Sequence, residues 1–161
     1  MKPTKIELIK HSHSIGESNI HFQLTPAYRQ PIFEDEKVRK LTKAYLLAKA
    51  EELRVIIVAV EFGPDHMHFF VANCKNYSVA ELIKLFKGFI SRMMRKNHWS
   101  LFKHYLFGEK FWTEGYFYRS IGAATTDSIK FYIEHSQAKH WECVDYDFYR
   151  YEKQKTLIGF A

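Results

Sequence analysis

The sequence predicts an α+β fold, and three observations carry that expectation. Residues 19–25, Asn-Ile-His-Phe-Gln-Leu-Thr, alternate polar with apolar side chains up to Pro26, the period of a half-buried strand. Residues 55–62 form a continuous β-branched run that turns at Gly63-Pro64-Asp65 into a second apolar run through residue 73, so two antiparallel strands are expected inside a sheet. Segments with helical spacing, at about 34–54 and 79–97, flank this pair.

Taken in order, residues 1–18 read as a polar leader and 19–25 as the first strand. Pro31 and Phe33 lead into the first helix, where Val38, Leu41, Tyr45, Leu46 and Ala48 recur on one side. After the strand pair, Ser78-Val79-Ala80-Glu81 is a capping box that starts the second helix. On a helical wheel its Leu82, Ile83, Phe86, Phe89, Ile90, Met93 and Met94 fill one side, and Lys84, Lys87, Ser91, Arg92 and Arg95 the other. That stripe is either a phosphate-contacting surface or a solvated face that happens to be positive. Phe111-Trp112 and Gly115-Tyr116-Phe117-Tyr118-Arg119 lead through an aromatic strand to a Gly-Ala-Ala turn. Thr125 then caps a last helix, with Asp127 in its first turn, that carries Ile129, Phe131, Tyr132 and Ile133 to about Lys139. Residues 141–161 are readable only as a further strand or a partner-docking tail. No repeat, low-complexity stretch or linker interrupts the chain, so 1–161 is expected to be one domain.

Composition narrows the function classes. With 47% apolar and 17% aromatic residues the chain is expected to form a packed globule, and the aromatic share suggests stacking surfaces besides core. Lys plus Arg exceed Asp plus Glu by 24 to 18, a formal +6 that suits a polyanionic partner. The longest aliphatic run, Val55 to Val60, is too short to span a bilayer, and no apolar signal core follows Lys2 and Lys5; a cytoplasmic protein with no membrane partner is expected. Cys74 and Cys143 fit neither a disulfide framework nor a zinc spacing, and Cys74 reads as a buried thiol.

The most informative motif is His66-Met67-His68. Alternation along a strand puts both imidazoles on one face, roughly 6 to 7 Å apart at the backbone, where one metal ion fits between them. His11-Ser12-His13 has the same spacing, but it lies among Lys10, Ser14, Gly16 and Asn19 and reads as solvated loop. The pair at 66 and 68 instead opens an apolar run behind a turn.

Around that motif the chain resembles the HUH-class single-tyrosine transposases of the smallest insertion sequences. The matching pieces are Tyr28-Arg29 with Pro31, Gly63-Pro64-Asp65-His66-Met67-His68, and Tyr77-Ser78-Val79 with Phe86-Lys87-Gly88 and Ser91-Arg92. Phe111-Trp112 with Gly115-Tyr116-Phe117 and then Ile129 to Glu134 complete the set, in the family's order. The resemblance implies a ferredoxin-like or RNA-recognition-like antiparallel sheet backed by helices, with a C-terminal helix carrying the nucleophile. It also implies a homodimer that cleaves and rejoins single-stranded DNA at hairpin ends. By position, His66 and His68 correspond to metal ligands and Tyr132 to the nucleophile, with Mg²⁺ or Mn²⁺ as cofactor. Arg29 joins Lys84, Lys87, Arg92 and Arg95 as residues expected to contact DNA.

A tyrosine hydroxyl with a pKa near 10 attacks phosphorus poorly unless charge at the reaction centre is compensated, which a cation on the two imidazoles would do. The product would be a 5'-phosphotyrosine and a free 3'-hydroxyl, a link that a second 3'-hydroxyl can reverse. Tyr132 also shares a helical face with Ile129, Ile133 and Ser136, as a core tyrosine would. One position departs from the family: its third ligand, a glutamine one turn after the tyrosine, is here Ser136. On a regular helix His135 lies about 60° from Tyr132 and Gln137 about 140°, so His135, Gln137 in a distorted helix, and water all remain open as the third ligand. Alternative functions are a related HUH nickase or domesticated hairpin-processing relative, a non-catalytic single-stranded nucleic-acid-binding module, and a zinc hydrolase using His66, His68 and His135.

Overall fold

The computed structural model describes residues 9–10, 12–16, 18–106, 108, 110–121 and 142–143. A short antiparallel pair, β1 (Ile9–Lys10) and β2 (Ile15–Gly16), precedes the main sheet. Ser12 and His13 sit exposed in the bend between them, so the leader holds a small hairpin where the sequence suggested only loop; two residues per strand leave no periodicity to read. Then follow β3 (Asn19–Leu24), two 3-10 turns (Ala27–Arg29 and Ile32–Glu34), α1 (Glu36–Leu53), β4 (Ile56–Gly63), β5 (His66–Ala72), α2 (Val79–Phe102), β6 (Phe117–Ile121) and β7 (Glu142–Cys143). The main sheet is antiparallel in the order β6-β3-β5-β4-β7. Through β6, the succession strand, helix, strand, strand, helix, strand in this spatial order is the ferredoxin-like arrangement.

Local chemistry sets the boundaries. Asp35 caps α1 by accepting from the amides of Lys37 and Val38, and Arg54 closes it in the left-handed region with its amide on Ala50 and Glu51. The capping box at Ser78 and Glu81 forms as expected. α2 runs five residues past the expected end because the irregular His98 (φ −136°, ψ 19°) does not stop it; the buried Tyr45 hydroxyl bonds His98 Nε2 at 2.8 Å and ties the extension to α1.

Both helices cover one face of the sheet. Phe69, fully buried, meets Phe22 at 5.4 Å and Phe86 at 5.6 Å between ring centroids, joining β5, β3 and α2 in a core with Leu24, Met67, Val71, Leu41, Ile90 and Met94. Met67, Phe69 and Val71 point to the helices, so His66 and His68 project from the opposite face of an interior strand. A bulge in β4 shifts its register between Ile57 and Ala59. Ile57 and Val60 therefore both face the core, while Ala59, Glu61 and Gly63 join the histidine face.

Candidate active site

The site is built at the turn between β4 and β5. Gly63 stands opposite His66 in the ladder, and the His66 ring folds directly over it: a Cβ at position 63 would lie 2.6 Å from Nε2 and 2.7 Å from Nδ1. Only glycine leaves that room. The His66 and His68 rings sit side by side, centroids 5.0 Å apart and nearly perpendicular.

Each imidazole has its Nδ1 engaged. His66 Nδ1 lies 2.8 Å from Asp65 Oδ1, and His68 Nδ1 lies 3.0 Å from Nε2 of His21 on β3. The hydrogen bond from His66 holds the Asp65 carboxyl below its usual range, and the nearby Arg29 guanidinium acts in the same direction against partial burial. An ionised carboxylate only accepts, so His66 donates from Nδ1 in this bond, which leaves Nε2 as the ring nitrogen free of Asp65. Burial, with His66 adding to it, pushes the His68 pKa down to about 4; burial, followed by His68 and Arg119, takes His21 to about 3. Both rings are neutral at physiological pH, the form that ligates metals.

His21 was not singled out by the sequence, nor were Glu61, Asp65 and Arg119. Cross-strand register brings them in: Glu61 and Gln23 flank His68, and Arg119 and Phe70 flank His21. His21 stacks on Phe70 (4.9 Å, 17°) and meets Phe117 edge-on at 5.8 Å, while Arg119 lies over Phe117. Alternation in β3 does put Asn19, His21 and Gln23 on one face, but only the strand order reveals that they adjoin the histidine pair. Among the described residues no group of three or more His, Cys, Asp or Glu side chains is arranged to hold a metal ion.

The expected DNA contacts divide. Arg29 reaches the turn, its Nε 3.3 Å from Asp65 Oδ2. Lys84, Arg92 and Arg95 are exposed on α2, which packs on the sheet face opposite the histidines. Lys87 is half-buried and donates to the carbonyls of Thr113 (2.6 Å) and Glu114 (3.1 Å), so its ammonium pins the loop before β6; burial lowers its pKa, against the pull of Glu114. Tyr132, His135, Ser136 and Gln137 lie outside the described residues, as do the helix expected after Thr125 and nearly all of 141–161. Within that tail Glu142 and Cys143 pair with Val60 and Ala59, the strand option for this stretch. Cys74 is a buried free thiol, as expected. No described helix is long and apolar enough to cross a membrane.

A protein of Deinococcus radiodurans R1 assigned as a transposase has a similar crystal structure, with a TM-score of 0.63 and 24% identity over 81% of this chain and 99% of that one. A REP-associated tyrosine transposase solved with a REP hairpin aligns at a TM-score of 0.47 and 13% identity, over 82% of this chain and 77% of that one. Comparison with curated proteins gave no match. The family model described as Transposase IS200 like matches residues 14–136, from the leader hairpin to the position after His135. With that match over most of its length, the chain belongs to the IS200-like transposase family.

Proposed function

We propose that this transposase cuts and rejoins single-stranded DNA through a covalent bond to Tyr132, with His66 and His68 holding a divalent cation, Mg²⁺ or Mn²⁺. The observation that carries the reading is the pair of adjacent imidazoles on the sheet face opposite α1 and α2, each with Nδ1 engaged. A metal-bound histidine characteristically donates its other nitrogen to a carboxylate or similar acceptor, and Asp65 does this for His66. Two nitrogen donors fit a divalent ion whose remaining positions are filled by oxygen, from a phosphate and from residues outside the described set, with His135 and Gln137 the first to test. When bound, such an ion compensates charge on the scissile phosphate.

The residues divide the remaining work. The Tyr132 hydroxyl attacks phosphorus in line; the P–O3' bond breaks, the phenolic proton is lost, and the leaving 3'-oxygen takes up a proton. A 5'-phosphotyrosine and a 3'-hydroxyl result. Because a phosphodiester is exchanged for a phosphodiester, a different 3'-hydroxyl can reverse the step and join new strands without ATP. Phe117 and Arg119, exposed on the same sheet face as His21, supply a stacking ring and a cation for a strand laid across it. Hairpin DNA ends and a homodimer belong to the same reading, on the strength of the motif set.

The test is to incubate the full chain with single-stranded hairpin oligonucleotides and Mn²⁺ or Mg²⁺, then run denaturing gels. The expected product is a protein–DNA adduct that Tyr132→Phe and His66→Ala both abolish. No adduct with either metal across a panel of oligonucleotides would count for a binding module, and turnover that survives Tyr132→Phe would count for a hydrolase.

A further inference from the structure

We infer that Asp65 and Arg29 are positioning residues for His66: the Asp65 carboxylate accepts a hydrogen bond from Nδ1–H, Arg29 holds that carboxylate in place, and His66 is left presenting Nε2 to the cation. The inference rests on the metal reading proposed above, and it gives Arg29 a role other than gripping DNA.

One carboxylate serves two partners with different oxygens, Oδ1 toward His66 at 2.8 Å and Oδ2 toward Arg29 at 3.3 Å. An ion pair with a guanidinium as exposed as that of Arg29 ordinarily contributes little. Its backbone is not ordinary. Tyr28 and Arg29 occupy the left-handed region in succession, at φ 57° and 52°, without a glycine between them. Each such residue carries a backbone cost and persists where the surroundings over-determine it.

Here they do. The Arg29 amide bonds Pro26 and the Gln30 amide bonds Ala27; the Ala27 amide is anchored on Phe111, and the Phe33 amide on Pro64 inside the histidine turn itself. The segment is thus tied to the β4–β5 turn at one end and to the loop before β6 at the other. That frame aims a strained arginine at the one carboxylate that orients His66. With Gly63 beneath the ring and Asp65 beside it, His66 is held in both tilt and tautomer.

The experiment uses the full chain without DNA and reads two quantities. In metal-free protein, nitrogen NMR of the His66 ring reports its tautomer; in parallel, Mn²⁺ titration followed by electron paramagnetic resonance reports affinity. Asp65→Asn is expected to shift His66 away from the Nδ1-protonated tautomer and to weaken Mn²⁺ binding by about 10- to 100-fold. Arg29→Ala is expected to weaken it a few-fold, and the double variant no more than Asp65→Asn alone, because Arg29 acts through Asp65.

If His66→Ala abolishes Mn²⁺ binding while Asp65→Asn and Arg29→Ala leave both affinity and tautomer unchanged, the positioning role is wrong and the metal reading stands. If His66→Ala leaves Mn²⁺ binding intact, both fall. A loss of DNA affinity by Arg29→Ala in EDTA with unchanged Mn²⁺ binding returns Arg29 to phosphate contact and overturns its part in the inference.

Discussion

Replacing His21 by phenylalanine separates the orientation of His68 from the packing around it. The His21 side chain is buried, stacked on Phe70 and His68 and edge-on to Phe117. Phenylalanine keeps that volume and those ring contacts, so the change removes chiefly the 3.0 Å bond to His68 Nδ1. A lost internal hydrogen bond costs about 1 kcal/mol, equivalent to roughly 2–4 °C in Tm for a chain of this size. His21→Ala also empties the space of a buried ring, for a total nearer 3 kcal/mol. Mn²⁺ affinity should fall by about 10-fold or more in both variants, because His68 is oriented through the same bond in each case. Chemical unfolding and Mn²⁺ titration on the parent and both variants measure this. Parent-like Mn²⁺ affinity in His21→Phe, or equal destabilisation by phenylalanine and alanine, would refute the assignment of His21 as the residue that orients His68.

Four further outcomes follow from the same geometry. In EDTA, the protein should lose stability as pH falls below about 6.5, because the unfolded chain protonates His21, His68 and His98 before the folded one does. The effect continues down through the folded values, near 4 for His68 and near 3 for His21, and acid titration of His21→Phe should show a shallower fall. Gly63→Ala should displace the His66 ring and weaken Mn²⁺ binding at least 10-fold with little change in Tm; parent-like binding would mean the ring is not confined there. Lys87→Ala should cost on the order of 1–3 kcal/mol by freeing the Thr113 and Glu114 carbonyls while leaving the salt dependence of DNA binding unchanged. Lys84→Ala or Arg92→Ala would instead lower that slope by about 0.7 each, without destabilisation, if the stripe contacts a single strand.

Much of the scaffold was legible because it rests on local rules. Alternation marked β3, the β-branched run marked β4, and Ser78 with Glu81 marked the start of α2. The histidine pair was legible too, since a two-residue spacing on a strand puts both rings on one face whatever the strand's neighbours. Boundaries slipped where distant contacts intervene: α2 continues past His98 because Tyr45, on another helix, bonds it.

The residues around the pair were not legible, and the reason is topological. In the order β6-β3-β5-β4, His21 and Arg119 become neighbours of His68 through strands far apart in sequence. The bulge at residues 57–59 hides in an apolar run without period, yet it alone decides that Glu61 faces His68 and not the core. By itself, then, the chain determined the order of elements from β3 to β6, most of its helical core faces and the two imidazoles side by side, all consequences of backbone periodicity and burial. Only the tertiary structure decided what holds those imidazoles, namely Asp65 with Arg29 behind it and His21 across the ladder. Register, a bulge and a left-handed segment arise from the whole sheet closing at once, and no local pattern encodes them.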